Sequence, residues 1–377
     1  MKPNVLEFFI MLPKYYFCYD KIKSKSLLRR VKIMTVTIKE VAKLAKVAPS
    51  TVSRVISNNP RISEATKRKV KKVMEELGYH PNLNARSLSS KTTQTIGLVM
   101  PSSGDVVFQN PFFSTVLQGI SEGAHEKKYA LQMTTGRSEQ ETFEAVIEMV
   151  QGKRVDGMIL LHSKVEDQVI MYLRKMGFPF VVIGKPAKYP EEIAHVDNDN
   201  VGAMKEATDY LIKLGHQQIA FIGGSTELMV TIDRLNGYKQ ALKEANLPIN
   251  EEYIKHEEFL REGGQEAVNE LMALPQPPTA LLVVDDFMAL GVLNKLDELG
   301  IKVPNDISVV SFNNILLSEM SKPPLTSMDI NILKLGIEAS RSLIQKIENS
   351  SEPAKRIIVS HKLVQRASCC PLNTSNN

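Results

Sequence analysis

The sequence predicts a small all-α head of helix-turn-helix type, followed by a large α/β body of two lobes, each built on a doubly wound parallel sheet. Three observations predict it. Charge is segregated: residues 34–95 carry 12 basic and 4 acidic side chains, a net +8, whereas residues 96–377 sum to −9. Apolar residues in the first of these segments recur at helical spacing over three short stretches. Beyond residue 95, short apolar runs alternate with longer helical patterns, the arrangement of parallel strands covered on both faces by crossover helices. A chain of 377 residues with 43% hydrophobic content has room for two or three domains. Its 3 cysteines, two of them adjacent at Cys369-Cys370, lack zinc-ligand spacing and read as reduced thiols. No metal and no cofactor is expected.

Residues 1–34 stand apart. Val5 to Tyr19, VLEFFIMLPKYYFCY, is apolar but interrupted by Glu7, Pro13 and Lys14. It is shorter than the roughly 20 apolar residues of a bilayer span. The following DKIKSKSLLRR offers no small-residue cleavage site. Neither a membrane segment nor export is expected, which makes the protein cytoplasmic and nucleoid-associated. A well-formed domain starts at Met34, and Arg29-Arg30 is encodable as AGG-AGG, where a ribosome-binding site belongs. Residues 1–33 are therefore expected to be translated leader from a start codon set too early. Intact mass of the native protein tests this, and a mass that includes them overturns it.

Residues 35–81 form the head. Thr37 and Glu40 have capping-box spacing, and Ile38, Val41, Ala42 and Ala45 then share one helical face. After a short break, Pro49 suits a first helical position. Val52, Val55 and Ile56 of the second helix point inward, leaving Pro49, Ser50, Thr51, Ser53 and Arg54 outward. Short hydroxyls and a guanidinium are the groups that bond base edges and phosphates. Asn58-Asn59-Pro60 breaks the chain. Ser63 caps a third helix, in which Val70, Val73, Met74 and Leu77 face inward and Lys67, Arg68, Lys69, Lys71 and Lys72 make a basic outer face. Residues 82–92 hold a helix-compatible stretch of only about two turns, marginal by itself in water. Its exposed Leu88 suits wedging between base pairs in a minor groove; a plain linker with a stray leucine is the alternative.

In the body, residues 95–370, strands are expected at 96–100, 130–134, 157–161, 180–183, 219–222, 280–284 and 307–311. Helices are expected at 113–127, 139–152, 201–214, 234–245, 287–299 and 333–347. Ligands of such folds sit beyond the carboxyl ends of the strands, here between the lobes. The phosphate-loop GxxxxGK[ST], GxGxxG, HExxH and GxSxG patterns are all missing. A binding protein is favoured over an enzyme. Residues 369–377 read as a disordered tail, with no leucine-rich tetramerising segment.

The stretch TIKEVAKLAKVAPSTVSRVISNNPRISEATKRKVKKVMEELGYHPNLNARSL closely resembles the DNA-binding head of the LacI/GalR family of bacterial repressors. The resemblance implies that Pro49, Ser50 and Arg54 read the major groove. It implies that Thr37, Ser53 and Asn82 hold phosphates and that Ala85 and Leu88 belong to a minor-groove hinge. Thr51, Asn58 and Arg86 complete the expected DNA-binding set. Family members bind palindromic operators as dimers, so a homodimer is the expected state.

The body resembles the family's effector domain, which is similar to periplasmic sugar-binding proteins. The stretches that carry this include NPFFSTVLQGI, DNDNVGAMKEATDYLIKLGHQQIAFIGG and VPNDISVVSFNN. This implies lobe one at about 95–195 and 328–355 and lobe two at about 196–325 and 356–368, with a third crossing near residue 355. Arg234 matches the family's sugar-binding arginine, and five fixed donors suit vicinal hydroxyls; an ion pair with Asp233 is the alternative. Asp285 and Asn313 sit just after strands. Many relatives carry Asn at the first and Asp at the second, so both positions depart from the family pattern. Phe112 and Phe113 are the candidates to stack on a sugar ring; that one of them is merely core is the alternative. The details VAPSTVSRVI, GYHPNLNARSL and SFNN most resemble maltose-operon regulators, implying a maltose or maltodextrin effector. The rivals are a catabolite regulator of the same family, using a phosphorylated phosphocarrier protein as corepressor, and a sugar receptor.

Overall fold

The computed structural model of the chain describes residues 36–57, 59–79, 92–101, 108–134, 136–349 and 351–372. The expected leader therefore lies outside the described residues. The chain divides into two compact units, one ending at Ala85 and one beginning at Arg86.

The first unit holds three helices, α1 (Ile38–Ala45), α2 (Pro49–Ile56) and α3 (Glu64–Glu76). The Glu40 carboxylate accepts from both the backbone N–H and the hydroxyl of Thr37, at 2.7 and 2.9 Å, closing the start of α1. Lys46 takes a left-handed conformation (φ 52°) and ends it. Pro49 opens α2, where a missing N–H leaves no bond unmade. Val41, Ala42, Ala45, Val52, Val55, Val70 and Val73 form the core. One expectation is corrected here. Lys67 does not belong to the basic outer face of α3: it is only 8% exposed, its stem lies along the core, and its ammonium reaches Glu64 at 2.7 Å.

The second unit contains two six-stranded sheets. The first uses β1 (Thr95–Val99), β2 (Ala130–Met133), β3 (Gly157–Leu160), β4 (Phe180–Ile183), β5 (His195–Asn198) and β11 (Arg356–Val359), in the order β11-β5-β4-β3-β1-β2 and all parallel. The second uses β6 (Ile219–Gly223), β7 (Ile254–His256), β8 (Ala280–Val283), β9 (Ser308–Phe312), β10 (Thr326–Asp329) and β12 (Lys362–Val364), in the order β12-β10-β9-β8-β6-β7. Only β12 is antiparallel to its neighbour. The helices of lobe one are α4 (Pro111–Glu126), α5 (Glu139–Gln151), α6 (Gln168–Lys175) and α12 (Ile332–Glu348). Those of lobe two are α7 (Asn200–Lys213), α8 (Met229–Glu244), α9 (Arg261–Met272), α10 (Asp286–Glu298) and the short α11 (Leu316–Met320). Every expected strand and helix is present, although α8 begins a turn earlier than its apolar pattern indicates.

The lobe boundaries differ from expectation. β5 stays in the first sheet as far as Asn198, and β10 stays in the second as far as Asp329. β11 pairs with β5 from Arg356↔His195 to Val359↔Asn198. The third crossing thus follows Val359 rather than residue 355, because Arg356–Val359 pairs with β5 as the edge strand of the first sheet. The three crossings are tied together. The Asn198 carboxamide donates to Ile330 O and to Val359 O, both at 2.9 Å.

The tail is also corrected. Residues 369–372 are packed on lobe two. Val309 N donates to Ser368 O at 2.8 Å, and Leu372 N donates to Leu214 O at 2.8 Å. The buried ring of His216 lies 3.2 Å from Cys370 O through Nε2 and 3.0 Å from Thr279 Oγ1 through Nδ1. Only residues 373–377 fall outside the described residues.

Candidate functional site

On the head, the geometry of α2 follows from its apolar spacing. With Val52 and Val55 committed to the core, Pro49, Ser50, Ser53 and Arg54 are exposed together and Thr51 is half-buried. Lys39, Lys43 and Lys46 are exposed nearby in sequence. Thr37 is exposed, with its hydroxyl engaged by Glu40, and these bonds hold the Glu40 carboxyl below its usual range. Asn58, Asn82, Ala85, Arg86 and Leu88 lie outside the described residues.

In the body, one cleft of about 590 Å³ opens between the lobes. Phe112, Phe113, Arg234, Asp285 and Asn313 all line it, so positions 201 residues apart in sequence converge as expected. Phe112 and Phe113 meet edge to face, with ring centroids 5.2 Å apart. Both are half-buried and both reach the cleft, rather than one serving it and one the core.

Arg234 is 4% exposed and is not paired with Asp233. Its Nε donates to Asn200 Oδ1 at 3.0 Å and one Nη to Val284 O at 2.5 Å. Its guanidinium carbon lies 4.5 Å from the Phe312 ring centroid, a stacking contact for the flat cation. Burial pulls its pKa down to about 10 against the opposing pull of Asp285, Asp197 and Asp286, so it stays a cation at neutral pH. Asn200 in turn donates to Asp197 Oδ1 at 2.9 Å. The Asp197 carboxyl is pushed up to about 6, chiefly by burial, with Asp233 adding and Arg234 opposing.

Asp285 joins the lobes. One carboxylate oxygen caps α10, accepting from Phe287 N and Met288 N at 2.8 and 3.1 Å. The other accepts from Asn313 Nδ2 at 2.7 Å and from Asn110 Nδ2 at 3.0 Å. Asn110 caps α4 of lobe one through its own oxygen. The exchanged carboxylate and amide at 285 and 313 therefore bond each other, and the carboxylate also reaches across the cleft. A second contact between lobes runs beside it, where Val165 N donates to Glu227 O and Met229 N to Ser163 O at 2.9 and 3.1 Å. Below, buried Asp286 accepts from the hydroxyls of Ser311 and Ser327 and from Ile315 N, locking β9, β10 and the start of α11 together.

The sequence reading missed Asn110, Asp197, Asn200 and His162, all of which line the cleft. A usable signal existed for two of them, Asn110 and His162. Polar residues directly after an apolar strand, or capping the helix that follows it, stand at the carboxyl ends where ligands bind. Asp197 escaped because β5, HVDN, has no apolar run to announce a strand. Among the described residues, no group of three or more His, Cys, Asp or Glu side chains could hold a metal. No described helix is long and apolar enough to cross a membrane.

Comparison with known proteins agrees with this geometry. Residues 37–82 match the bacterial regulatory proteins of the lacI family, and residues 208–369 match a periplasmic binding protein-like domain. The chain is 44% identical over 340 residues to the HTH-type transcriptional regulator MalR of Streptococcus pneumoniae, covering 88% of this chain and 100% of that protein. A solved LacI transcriptional regulator from Bacillus cereus subsp. cytotoxis is 53% identical with a TM-score of 0.73, over 74% of this chain and 99% of that one. The complex of the transcriptional regulator CelR with cellobiose is 32% identical with a TM-score of 0.69, over 88% and 99%. With a helix-turn-helix head, a two-lobed cleft and a relative that is 44% identical and covers 88% of it, this chain belongs to the lacI family of bacterial DNA-binding transcriptional regulators.

Proposed function

We propose that this regulator represses genes of maltose or maltodextrin use, binding a palindromic operator as a cytoplasmic homodimer and leaving it when a maltose-type sugar enters the cleft. The observation that carries the reading is the buried, pre-oriented Arg234 in a cleft of disaccharide size that also presents two aromatic rings. Two of its donors are fixed by Asn200 and Val284, which leaves the rest of the fork for vicinal sugar hydroxyls. Phe112 or Phe113 offers an apolar face to the ring, while Asp285 and Asn313 supply further polar contacts. MalR, at 44% identity, is named for maltose. CelR was solved with cellobiose, which like maltose is a disaccharide of glucose.

The coupling follows from differential binding. The sugar must favour the arrangement of lobes that holds the heads wrongly for DNA. The bond between Asn110 and Asp285 is one contact that a sugar entering the cleft would exchange for its own. Leu316 and Met320 are 71% and 67% exposed on lobe two, apolar surface that a second copy would cover in the proposed homodimer. Anisotropy of a labelled palindromic operator, titrated with and without maltose at two salt concentrations, tests the whole. Salt-sensitive binding released by maltose is expected. Tight binding indifferent to maltose overturns the effector and turns attention to other sugars or a phosphocarrier corepressor. No binding to any family-type palindrome overturns the reading.

A further inference from the structure

Behind the cleft lies a second, much smaller chamber of about 40 Å³. It is lined by the ends of β1 and β3, the first turn of α5 and the first turn of α6. Among the described residues, six side-chain atoms are buried with no hydrogen-bond partner, and three of them belong to this lining: Thr142 Oγ1, His162 Nδ1 and Asp167 Oδ2. Thr142 is only 5% exposed. A buried polar atom without a partner costs about 1–3 kcal/mol, so three around one chamber call for an occupant. A water needs roughly 10–15 Å³ and two to four polar partners. The chamber meets both conditions and is too small for a sugar ring.

His162 lines the chamber and the main cleft alike. Its Nδ1 is buried and without a partner, which makes Nε2 the nitrogen offered to the cleft in the arrangement proposed below. Burial holds the imidazole below its ordinary value, opposed by Asp167 and Glu139 and reinforced by Lys164, so the ring is neutral and carries a single proton. The position of that proton decides what the cleft meets.

We propose that this partly open chamber is a hydration site that fixes the tautomer of His162 and so makes His162 an acceptor for a hydroxyl of the bound effector. In this arrangement His162 Nδ1–H donates to the water, and the water donates to Asp167 Oδ2 and Thr142 Oγ1. The bare Nε2 then accepts a hydroxyl proton in the cleft. Asp167 and Thr142 are positioning residues that act through the water and touch no sugar. The sugar-binding half of this inference rests on the function proposed above; the hydration site does not.

Asp167→Asn isolates the electrostatic role. Asp167 Oδ1 caps α6 by accepting from Ile170 N at 3.0 Å, and asparagine caps equally well. Thr142→Val removes the hydroxyl at constant shape, and Thr142→Ser restores it. The experiment is nitrogen NMR of the full, ligand-free chain with labelled histidine, His162 being assigned by the signal lost in His162→Gln. The expected wild-type state is neutral with the proton on Nδ1. Asp167→Asn and Thr142→Val shift proton population toward Nε2, while Thr142→Ser does not. A wild-type proton on Nε2, or a tautomer indifferent to both variants, overturns the hydration site. Calorimetry with maltose then reads the second half. Asp167→Asn should weaken binding roughly 5- to 10-fold, the worth of one well-placed hydrogen bond. Unchanged affinity beside a shifted tautomer overturns the acceptor role. A wild-type chain that binds neither maltose nor cellobiose overturns the effector reading, and the histidine signal alone then judges the chamber.

Discussion

Arg234 shows why one side chain can be decisive. Its fork is held at Nε and at one Nη by two fixed acceptors and lies over Phe312. Lysine would keep the charge and lose both the flat stack and the paired donors. Arg234→Lys should therefore weaken sugar binding by about 2 kcal/mol, near 30-fold, with operator affinity in the absence of sugar unchanged; calorimetry and anisotropy read the two. Asp197 carries a different consequence. Its folded-state value of about 6 lies above the ordinary 3.8, so between these values the folded chain keeps a proton that the unfolded chain has released. Stability from this group is complete below pH 3.8 and is lost as pH rises toward 6, at up to about 1.4 kcal/mol per pH unit. Asp286, pushed up to about 7 by burial, adds in the same direction. In denaturant titrations of the body at pH 4.5 and 6.5, Asp197→Asn should reduce the difference, leaving the part due to Asp286.

At the scale of elements, α4 and α12 meet very closely. A Cβ built on Gly336 would stand 2.3 Å from Val116 O, and one on Gly119 would stand 2.1 Å from Leu333 O. These helices approach backbone to backbone, so Gly336→Ala must force them apart. A loss of about 2–3 kcal/mol in body stability is expected by thermal melting, as for an overpacked core. The same scale shows what the sequence could and could not reveal. Strands buried as apolar runs, such as FVVI and ALLV, were legible. β5 (HVDN) and β10 (TSMD) were not, because their buried residues are polar and are satisfied by bonds unseen in sequence, such as Ser327 to Asp286 and Asn198 to Ile330. In the head, α2 was legible down to its exposed residues, whereas buried Lys67 was not, since residue type alone argues for solvent. In the cleft, Phe112, Phe113, Arg234, Asp285 and Asn313 were named in advance, the arginine and the pair at 285 and 313 by family pattern. Asn110 was legible as a helix cap, whereas its bond to Asp285, 175 residues away, was not.

The whole molecule joins a basic head to an acidic body. Operator binding should fall steeply and linearly with the logarithm of salt concentration as phosphate counterions are released. Arg54→Ala should cost about 1–3 kcal/mol if it reads a base, and should relax preference at one operator position rather than lowering the salt slope; anisotropy on single-base operator variants separates the two. For the body, the meeting of all three crossings at Asn198 has a genetic corollary. Asn198→Ala strands two carbonyls at once, on connections that run along the wall of the cleft. Selection for regulators that bind operator normally but answer sugar poorly should return alleles at this codon; because Asn198 also lines the cleft, calorimetry with maltose separates those that loosen the joint from those that lose the sugar. Such alleles would map the joint about which the lobes turn as surely as a displacement measured between two crystals.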